Sequence, residues 1–167
     1  LSEKSALLEK YTNDWLVFPE DRSYPIRMRD EIPLRWIRQG PSEQFTGEAL
    51  KNEYYAFQIG VYASKAGLQN LKVEFTSLQG ASVKITASSL TCFNTGGIGP
   101  YGKPFEKRVD VGLGMVQPLW IGIDIPEAIP AGTYTGSVII KPENARRQTI
   151  KISLKIADKI IADRGDS

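Results

Sequence analysis

The sequence of 167 residues contains no histidine and only one cysteine. Histidine is the most common general base and the most common metal-binding side chain, so its absence excludes Ser-His-Asp and zinc-histidine chemistry within this chain. Cys92 has no second cysteine with which it could form an internal disulfide. Because it lies at an apolar strand end with no base nearby in sequence, we interpret it as a buried structural thiol. We predict no metal, no cofactor and no catalytic residue.

The sequence also has little net charge and no long hydrophobic run. Its 21 basic and 19 acidic residues leave a net charge of +2, which gives no general attraction to nucleic acid or anionic lipid. No apolar run approaches the ~20 residues that a membrane-spanning helix needs. We therefore expect neither a nucleic-acid partner nor membrane insertion. The start at Leu1 and the polar tail at 163–167 lead us to expect a piece of a longer protein.

What the sequence does contain is a series of runs in which apolar and polar residues alternate. The clearest lies at 149–156, where every second position is apolar: Ile150, Ile152, Leu154 and Ile156. A period of two places one set of side chains on each face of a strand, so one face is buried and one is wet. Similar runs at 53–63, 119–125 and 133–140 are separated by turn residues. The sequence therefore predicts an all-β fold of about seven to nine strands, a two-sheet antiparallel immunoglobulin-like β-sandwich.

Residues 1–45 are predicted to form an extended N-terminal arm that packs on the sandwich. Four prolines break the segment after residue 12, and each pushes the residue before it toward extended geometry. We expect short strands at 15–18 and 34–37 and no helix after residue 12. The predicted organisation is this arm, a sandwich core at 46–158, and a linker stub at 159–167 that leads to a following domain.

The arm carries five arginines that alternate with carboxylates. The arginines are Arg22, Arg27, Arg29, Arg35 and Arg38, and the acidic residues among them are Glu20, Asp21, Asp30 and Glu31. We interpret them as a network of partly exposed ion pairs. The alternative is a docking surface for another domain, because arginine and tryptophan are enriched where proteins meet.

Two features that could carry chemistry lack the pattern that the chemistry requires. The glycine-rich loop at 94–102 precedes no predicted helix, and no hydroxyl residue follows Lys103, so it does not match a phosphate-binding loop. The acidic dipeptides at 20–21 and 30–31 lie in extended chain, where adjacent side chains point in opposite directions. Neither dipeptide can supply the facing carboxylates of a glycosidase. We predict that the chain is not an enzyme.

Aromatic residues predicted to lie off the core face are the best candidates for binding. They are Trp120, Tyr54, Tyr62 and Tyr101. Exposed rings of this kind can stack on the pyranose rings of a glycan; the alternative is that the arm covers this face and buries them. We add Trp36, in the arm, and Asn94, in the glycine-rich loop, as possible contacts with a glycan or with a neighbouring domain.

Four segments resemble a known family: DWLVFPEDRSYPIRMRDEIPLRW, NEYYAFQIGVYA, CFNTGGIGPYGKPFEKRVDV and PLWIGIDIPEAIPAGTYTGSVIIKPENA. Together they resemble the N-terminal β-sandwich region of large glycoside-hydrolase-like proteins of glycan-degrading bacteria. The named relative is the N-terminal domain of glycoside hydrolase family 123. The FPEDR and NTGGIG segments are the most particular, whereas the PAGTYTG hairpin is shared by many extracytoplasmic immunoglobulin-like modules.

The resemblance implies a non-catalytic role. In such proteins the sandwich precedes a catalytic barrel that holds the acid/base carboxylates, and no barrel sequence is present here. It thus implies an accessory domain that packs against and supports the adjacent barrel of the same chain. It also implies an extracytoplasmic location, in the periplasm or at the cell surface. The alternative function is a carbohydrate-binding module that stacks sugars on exposed aromatic residues.

Overall fold

The computed structural model describes residues 2–22, 32–98 and 104–162. In this part of the chain there are two α-helices, α1 (Ser2–Lys10) and α2 (Leu34–Gln39), and one 3₁₀-helix at Ala87–Ser89. The strands found there are β1 (Leu16–Glu20), β2 (Gln44–Lys51), β3 (Tyr54–Tyr62), β4 (Lys72–Phe75), β5 (Leu78–Gln79), β6 (Lys84–Ile85), β7 (Leu90–Cys92), β8 (Gly96–Ile98), β9 (Pro104–Glu106), β10 (Val116–Asp124), β11 (Gly132–Lys141) and β12 (Gln148–Ile160).

The strands form two main sheets and a separate hairpin. The four-stranded sheet has the order β1-β3-β10-β7, and the six-stranded sheet has the order β2-β12-β11-β5-β6, with β4 also paired to β11. The hairpin joins β8 to β9. All these pairings are antiparallel except that of β2 with β12, which is parallel. The predicted class is confirmed: the fold is an all-β, immunoglobulin-like sandwich, with a six-stranded sheet that is mixed at one edge.

The core lies between the two sheets and follows the alternation in the sequence. Its largest contributors are the inward side chains of β3, β10, β11 and β12: Tyr55, Phe57, Ile59, Val61, Leu119, Ile121, Ile123, Tyr134, Val138, Ile140, Ile150, Ile152, Leu154 and Ile156. Burying one such side chain contributes about 1.5–3 kcal/mol. The hydroxyl of Tyr134 donates a hydrogen bond of 2.7 Å to the carbonyl of Pro130. This contact resembles the tyrosine corner of immunoglobulin-like domains, and it fixes the start of β11.

A second cluster covers part of the outer face of the four-stranded sheet. The indole of Trp36, from α2, stacks on the ring of Phe18 in β1 at 4.9 Å. It lies over Gly60 of β3, where a Cβ would meet Trp36 Cζ3 at 2.5 Å. The other buried members are Leu7, Leu16, Ile32, Tyr62 and Val116. Residues before β2 therefore form a lid of two helices over one half of this outer face.

Of the two strands predicted in the arm, the structure contains one and has a helix in place of the other. The strand expected at 15–18 is present as β1, but the strand expected at 34–37 is the helix α2. Pro33 precedes this helix, and Gly40 ends it with φ of 78° and a hydrogen bond from its N–H to the carbonyl of Trp36. Proline is tolerated at a helix start and glycine at a helix end. The domain boundaries inferred from the sequence stay a prediction.

Candidate functional site

Two of the aromatic candidates, Trp36 and Tyr62, are buried and belong to the second cluster. Their exposed fractions are 3% and 2%. The indole N–H of Trp36 donates to Glu20 Oε1 at 3.2 Å, and Arg35 Nε lies 3.4 Å from the same carboxylate oxygen. For Tyr62 the alternative holds that N-terminal residues cover the face, whereas Trp36 belongs to the covering segment itself. Neither ring is available to stack on a ligand.

The other half of the same outer face carries two exposed aromatic side chains. Tyr54 is 41% exposed and Phe93 is 46% exposed, whereas Trp120 is half-buried. Tyr54 begins β3 and Phe93 follows β7, and their rings meet over Gly122 of the intervening strand β10, with centroids 6.1 Å apart and planes tilted by 41°. We call Tyr54, Phe93 and Gly122 the aromatic platform. Trp120 lies on the same strand face, two residues before the glycine.

Gly122 is what allows the two rings to lie against the sheet. A Cβ at this position would lie 2.6 Å from Tyr54 Cε1 and 2.8 Å from Phe93 Cε2. Real Cβ atoms do not approach other heavy atoms so closely, so any side chain here would displace one or both rings. The platform therefore depends on three residues that come from three adjacent strands or strand ends.

Asn94 takes part in positioning this surface. Its side-chain oxygen accepts a hydrogen bond of 2.7 Å from the backbone N–H of Trp120, and the N–H of Phe93 donates to the carbonyl of Trp120 at 3.0 Å. These two bonds continue the pairing of β7 with β10 by one residue and fix the backbone that carries Phe93. Tyr101, the remaining candidate, lies outside the described residues.

Phe93 and Gly122 were not among the residues selected from the sequence. The signal for Phe93 was present, because Leu90 and Cys92 are apolar and alternate with Thr91 and Phe93. Strand alternation then places Phe93 on the face opposite the buried Cys92. Residues 88–93 were not among the alternating runs from which strands were predicted, and so Phe93 was not assigned to a face.

The arm arginines that the structure describes each pair with a carboxylate. Arg22 Nη1 lies 2.6 Å from Glu53 Oε2, and this hydrogen bond raises the pKa of Arg22. The other carboxylate oxygen of Glu53 accepts the backbone N–H of Leu50 at 2.9 Å. Arg38 Nε lies 3.6 Å from Glu3 Oε1 at the surface. With the contact of Arg35 and Glu20, these pairs agree with the ion-pair interpretation; Arg27 and Arg29 lie outside the described residues.

The potentially reactive groups of the described residues have structural surroundings. Cys92 is buried, and its burial raises the pKa of the thiol, which disfavours the nucleophilic thiolate. The buried carboxylates of Glu20 and Glu53 are held by the contacts given above. Across residues 2–22, 32–98 and 104–162 no three Cys, Asp or Glu side chains are grouped so that they could hold a metal ion. Neither α1 nor α2 is long and apolar enough to span a bilayer.

The comparisons with known proteins concern the fold alone. No protein-family model and no curated protein matches the sequence. Among solved structures, the chain is similar to a family 123 glycoside hydrolase from Clostridium perfringens that was described in a study of glycolipid glycan hydrolysis. The TM-score is 0.63 and the identity 14%, over 87% of this chain and 28% of that one. The chain therefore spans little more than a quarter of the length of that enzyme.

Two further solved structures show a weaker likeness. The N-terminal domain of PorA matches with a TM-score of 0.46 and 13% identity, over 86% of this chain and 98% of that one. A PapD-like domain of human CEP192 matches with a TM-score of 0.43 and 11% identity, over 70% and 82%. The two packed sheets and the core between them define the class of the protein as an immunoglobulin-like β-sandwich. More particularly, its fold resembles a region of a family 123 glycoside hydrolase.

Proposed function

We propose that this chain is a non-catalytic accessory domain of a multidomain, exported glycoside-hydrolase-like protein, in which it packs against a catalytic barrel and supports it. The observation that carries the proposal is the likeness of almost the whole chain to 28% of a larger glycoside hydrolase. A sandwich of this fold can thus form one part of such an enzyme and leave the rest of the enzyme's own chain available for catalysis.

The surroundings of the polar groups support a non-catalytic role. A glycosidase uses two carboxyl groups that face each other across a cleft. Glu20 is engaged by Trp36 and Arg35, and Glu53 is engaged by Arg22 and the backbone of Leu50. Both carboxylates serve to hold N-terminal segments on the sandwich.

The contact with the barrel involves the exposed parts of the N-terminal segments. Trp15 and Trp36 are buried within the domain, so they shape that surface from beneath and do not touch a partner. Leu34, which is exposed on α2, and Arg38, whose ion pair with Glu3 is exposed, are side chains that such a partner would meet. Exposed ion pairs contribute little to stability. Arg38 can therefore leave Glu3 and pair with a carboxylate of the barrel at little cost.

The proposal is tested by removing the domain from the parent protein. Deletion of residues 1–162 should lower the melting temperature of the catalytic part, and adding the isolated chain in trans should restore part of the loss. The matched control is the same chain carrying Phe57→Asp, because an unpaired charge at this fully buried position prevents the core from forming. Unchanged turnover and unchanged melting after the deletion would refute an accessory role.

A carbohydrate-binding module is the second candidate function. It is favoured by the exposure of Tyr54 and the half-burial of Trp120, since both were proposed as stacking residues. It is not favoured by Tyr62 or Trp36, which the second cluster buries. The two functions are compatible, because an accessory domain can also bind the substrate of its neighbour.

A further inference from the structure

We propose that the aromatic platform of Tyr54, Phe93 and Gly122 is a stacking site for one pyranose ring of a neutral oligosaccharide, with Trp120 contacting the adjoining sugar. This inference deepens the second candidate function and does not depend on the presence of a catalytic barrel. The inference rests on the exposure of the rings of Tyr54 and Phe93, on their convergence over Gly122, on the limited area that they expose, and on the polar groups at their edge.

The platform is preorganised. The two rings reach over β10 from opposite sides and lie against the same glycine, at which a Cβ would be 2.6 Å from Tyr54 Cε1 and 2.8 Å from Phe93 Cε2. Each ring is therefore supported from beneath by backbone and from the side by the other ring, 6.1 Å away. A ligand that binds here loses little free energy to ordering the side chains, and this saving improves affinity.

In the opposite half of the same sheet face, an aromatic ring also lies over a glycine, but there other residues of the protein cover the ring. There the ring of Trp36 lies over Gly60, and it is buried by its neighbours in the second cluster. At Gly122 the arrangement is similar, but Tyr54 and Phe93 keep nearly half of their surface exposed. Of these two clusters of described residues, the platform is the one whose rings are exposed to solvent.

The exposed ring area fits a small ligand better than a protein. A large aromatic side chain offers about 150–250 Å², so exposures of 41% and 46% leave roughly 150–200 Å² for the pair. A stable protein interface buries about 800 Å² on each partner, several times this area. One pyranose ring covers a surface of the size that the two rings offer.

The groups at the edge of the platform suit a neutral sugar. Asp124 pairs with Tyr54 across β10 and β3, and Thr91 pairs with Gly122 across β10 and β7. Because of strand alternation, both side chains lie on the face that carries the platform. A carboxylate and a hydroxyl can both accept hydrogen bonds from the hydroxyl groups of a sugar.

The experiment is a titration of the 167-residue chain with cellotetraose, xylotetraose and chitotetraose, followed by calorimetry and by tryptophan fluorescence. Trp15 and Trp36 are buried and Trp120 is half-buried, so a ligand-dependent change in emission reports on Trp120. We expect at least one oligosaccharide to bind with a dissociation constant in the millimolar range or below. Tyr54→Ala and Phe93→Ala should each raise that constant at least about tenfold, which corresponds to a loss of about 1.4 kcal/mol.

The controls separate stacking from folding. Tyr54→Phe keeps the ring and should bind within about threefold of the parent chain, well below the tenfold step of 1.4 kcal/mol. Leu113→Ala removes an apolar side chain that is 62% exposed outside the platform and should change nothing. Gly122→Ala keeps both rings but displaces them, and it should weaken binding although the chain melts as a folded protein. If Gly122→Ala does not fold, Tyr54→Leu, which keeps apolar bulk without a flat ring, takes its place.

Two outcomes would overturn the inference. One is the absence of binding by all three oligosaccharides at millimolar concentrations. The other is binding that survives Tyr54→Ala and Phe93→Ala, which would place the sugar elsewhere on the domain. Both outcomes leave the accessory role intact, because that role is tested separately by deletion of the domain from the parent protein.

Discussion

Replacing Tyr55 by phenylalanine should raise the free energy of unfolding, whereas most substitutions in a core lower it. Tyr55 is 1% exposed, within the main core, and no hydrogen-bond partner for its hydroxyl is present among the described residues. Leaving a buried hydroxyl without a partner costs about 1–3 kcal/mol. Because Tyr55→Phe removes that hydroxyl and keeps the ring, we expect the free energy of unfolding to rise by about 1 kcal/mol.

The matched control is the same substitution at Tyr134. Its hydroxyl is also within a buried side chain, but it donates a 2.7 Å hydrogen bond to the carbonyl of Pro130. Tyr134→Phe should therefore lower the free energy of unfolding by about 0.5–1.5 kcal/mol. Urea unfolding at neutral pH, followed by circular dichroism, measures both variants. The two substitutions delete the same atom and should change stability in opposite directions.

The pH dependence of Tyr55→Phe provides an independent measurement. Burial, together with the charge of Asp21, raises the pKa of Tyr55 from 10.0 to about 12. The folded-state pKa is above the unfolded one, so the neutral phenol is favoured in the folded protein. Its ionisation has no effect on stability below pH 10, and the parent protein loses stability as the pH rises toward 12, because the unfolded chain releases the phenol proton while the folded chain keeps it. With about 1.36 kcal/mol for each pKa unit, the advantage of Tyr55→Phe over the parent should grow by about 2–3 kcal/mol across that interval.

One result would refute the reasoning about Tyr55. If Tyr55→Phe destabilised the protein at neutral pH by as much as Tyr134→Phe does, the hydroxyl would have a partner. An advantage that stayed constant above pH 10 would separately contradict the raised pKa.

The remaining predictions concern three other buried groups. Gly60→Ala should lower the free energy of unfolding by about 1–3 kcal/mol, because the new methyl group meets Trp36 Cζ3 at 2.5 Å; a loss below about 0.5 kcal/mol in urea unfolding would mean that α2 moves away freely. Trp15→Phe removes the 2.8 Å hydrogen bond from the indole N–H to the carbonyl of Arg146, and calorimetry should show a loss of about 1–3 kcal/mol. Cys92 is buried, with a thiol pKa raised by burial, so iodoacetamide should label it only where urea unfolds the chain. Rapid labelling in the absence of urea would contradict that burial.

The sandwich could be predicted from the sequence because a single physical rule determines most of it. In β12 the alternation of Ile150, Ile152 and Leu154 with polar residues assigns each side chain to a face without knowledge of any partner strand. The short strands Leu78–Gln79, Gly96–Ile98 and Pro104–Glu106 contain too few residues to show alternation. For this reason the structure has more strands than the seven to nine expected.

The helix α2 could not be predicted because its formation depends on distant residues. The segment LRWIRQ has six residues, fewer than an isolated helix needs in water, and the prolines around it favour extended chain. What stabilises the helix is the contact of Trp36 with Phe18 and with Gly60. Both partners are remote in sequence, and Gly60 leaves a space on the sheet that no local pattern reveals.

The candidate site was only partly predictable for a related reason. Tyr54 and Trp120 could be assigned to the outer face from alternation, and so could Tyr62. Whether an outer position is wet depends on what lies above it, and the helices cover Tyr62 but leave Tyr54 exposed. The role of Gly122 could not be predicted from the sequence. Gly122 leaves space for the rings of Tyr54 and Phe93, and these rings come from other strands.

The parallel pairing of β2 with β12 has a consequence for how the polypeptide acquires its structure during synthesis. Gln44–Lys51 is made early, yet its neighbour in the sheet, Gln148–Ile160, is made only after strands β3 to β11. Until Gln148–Ile160 is available, the six-stranded sheet lacks the strand that lies between β2 and β11. Loop closure over such a separation in sequence is slow. We therefore expect nascent chains that stop before residue 148 to remain sensitive to protease, with protection appearing abruptly once the final strand is available.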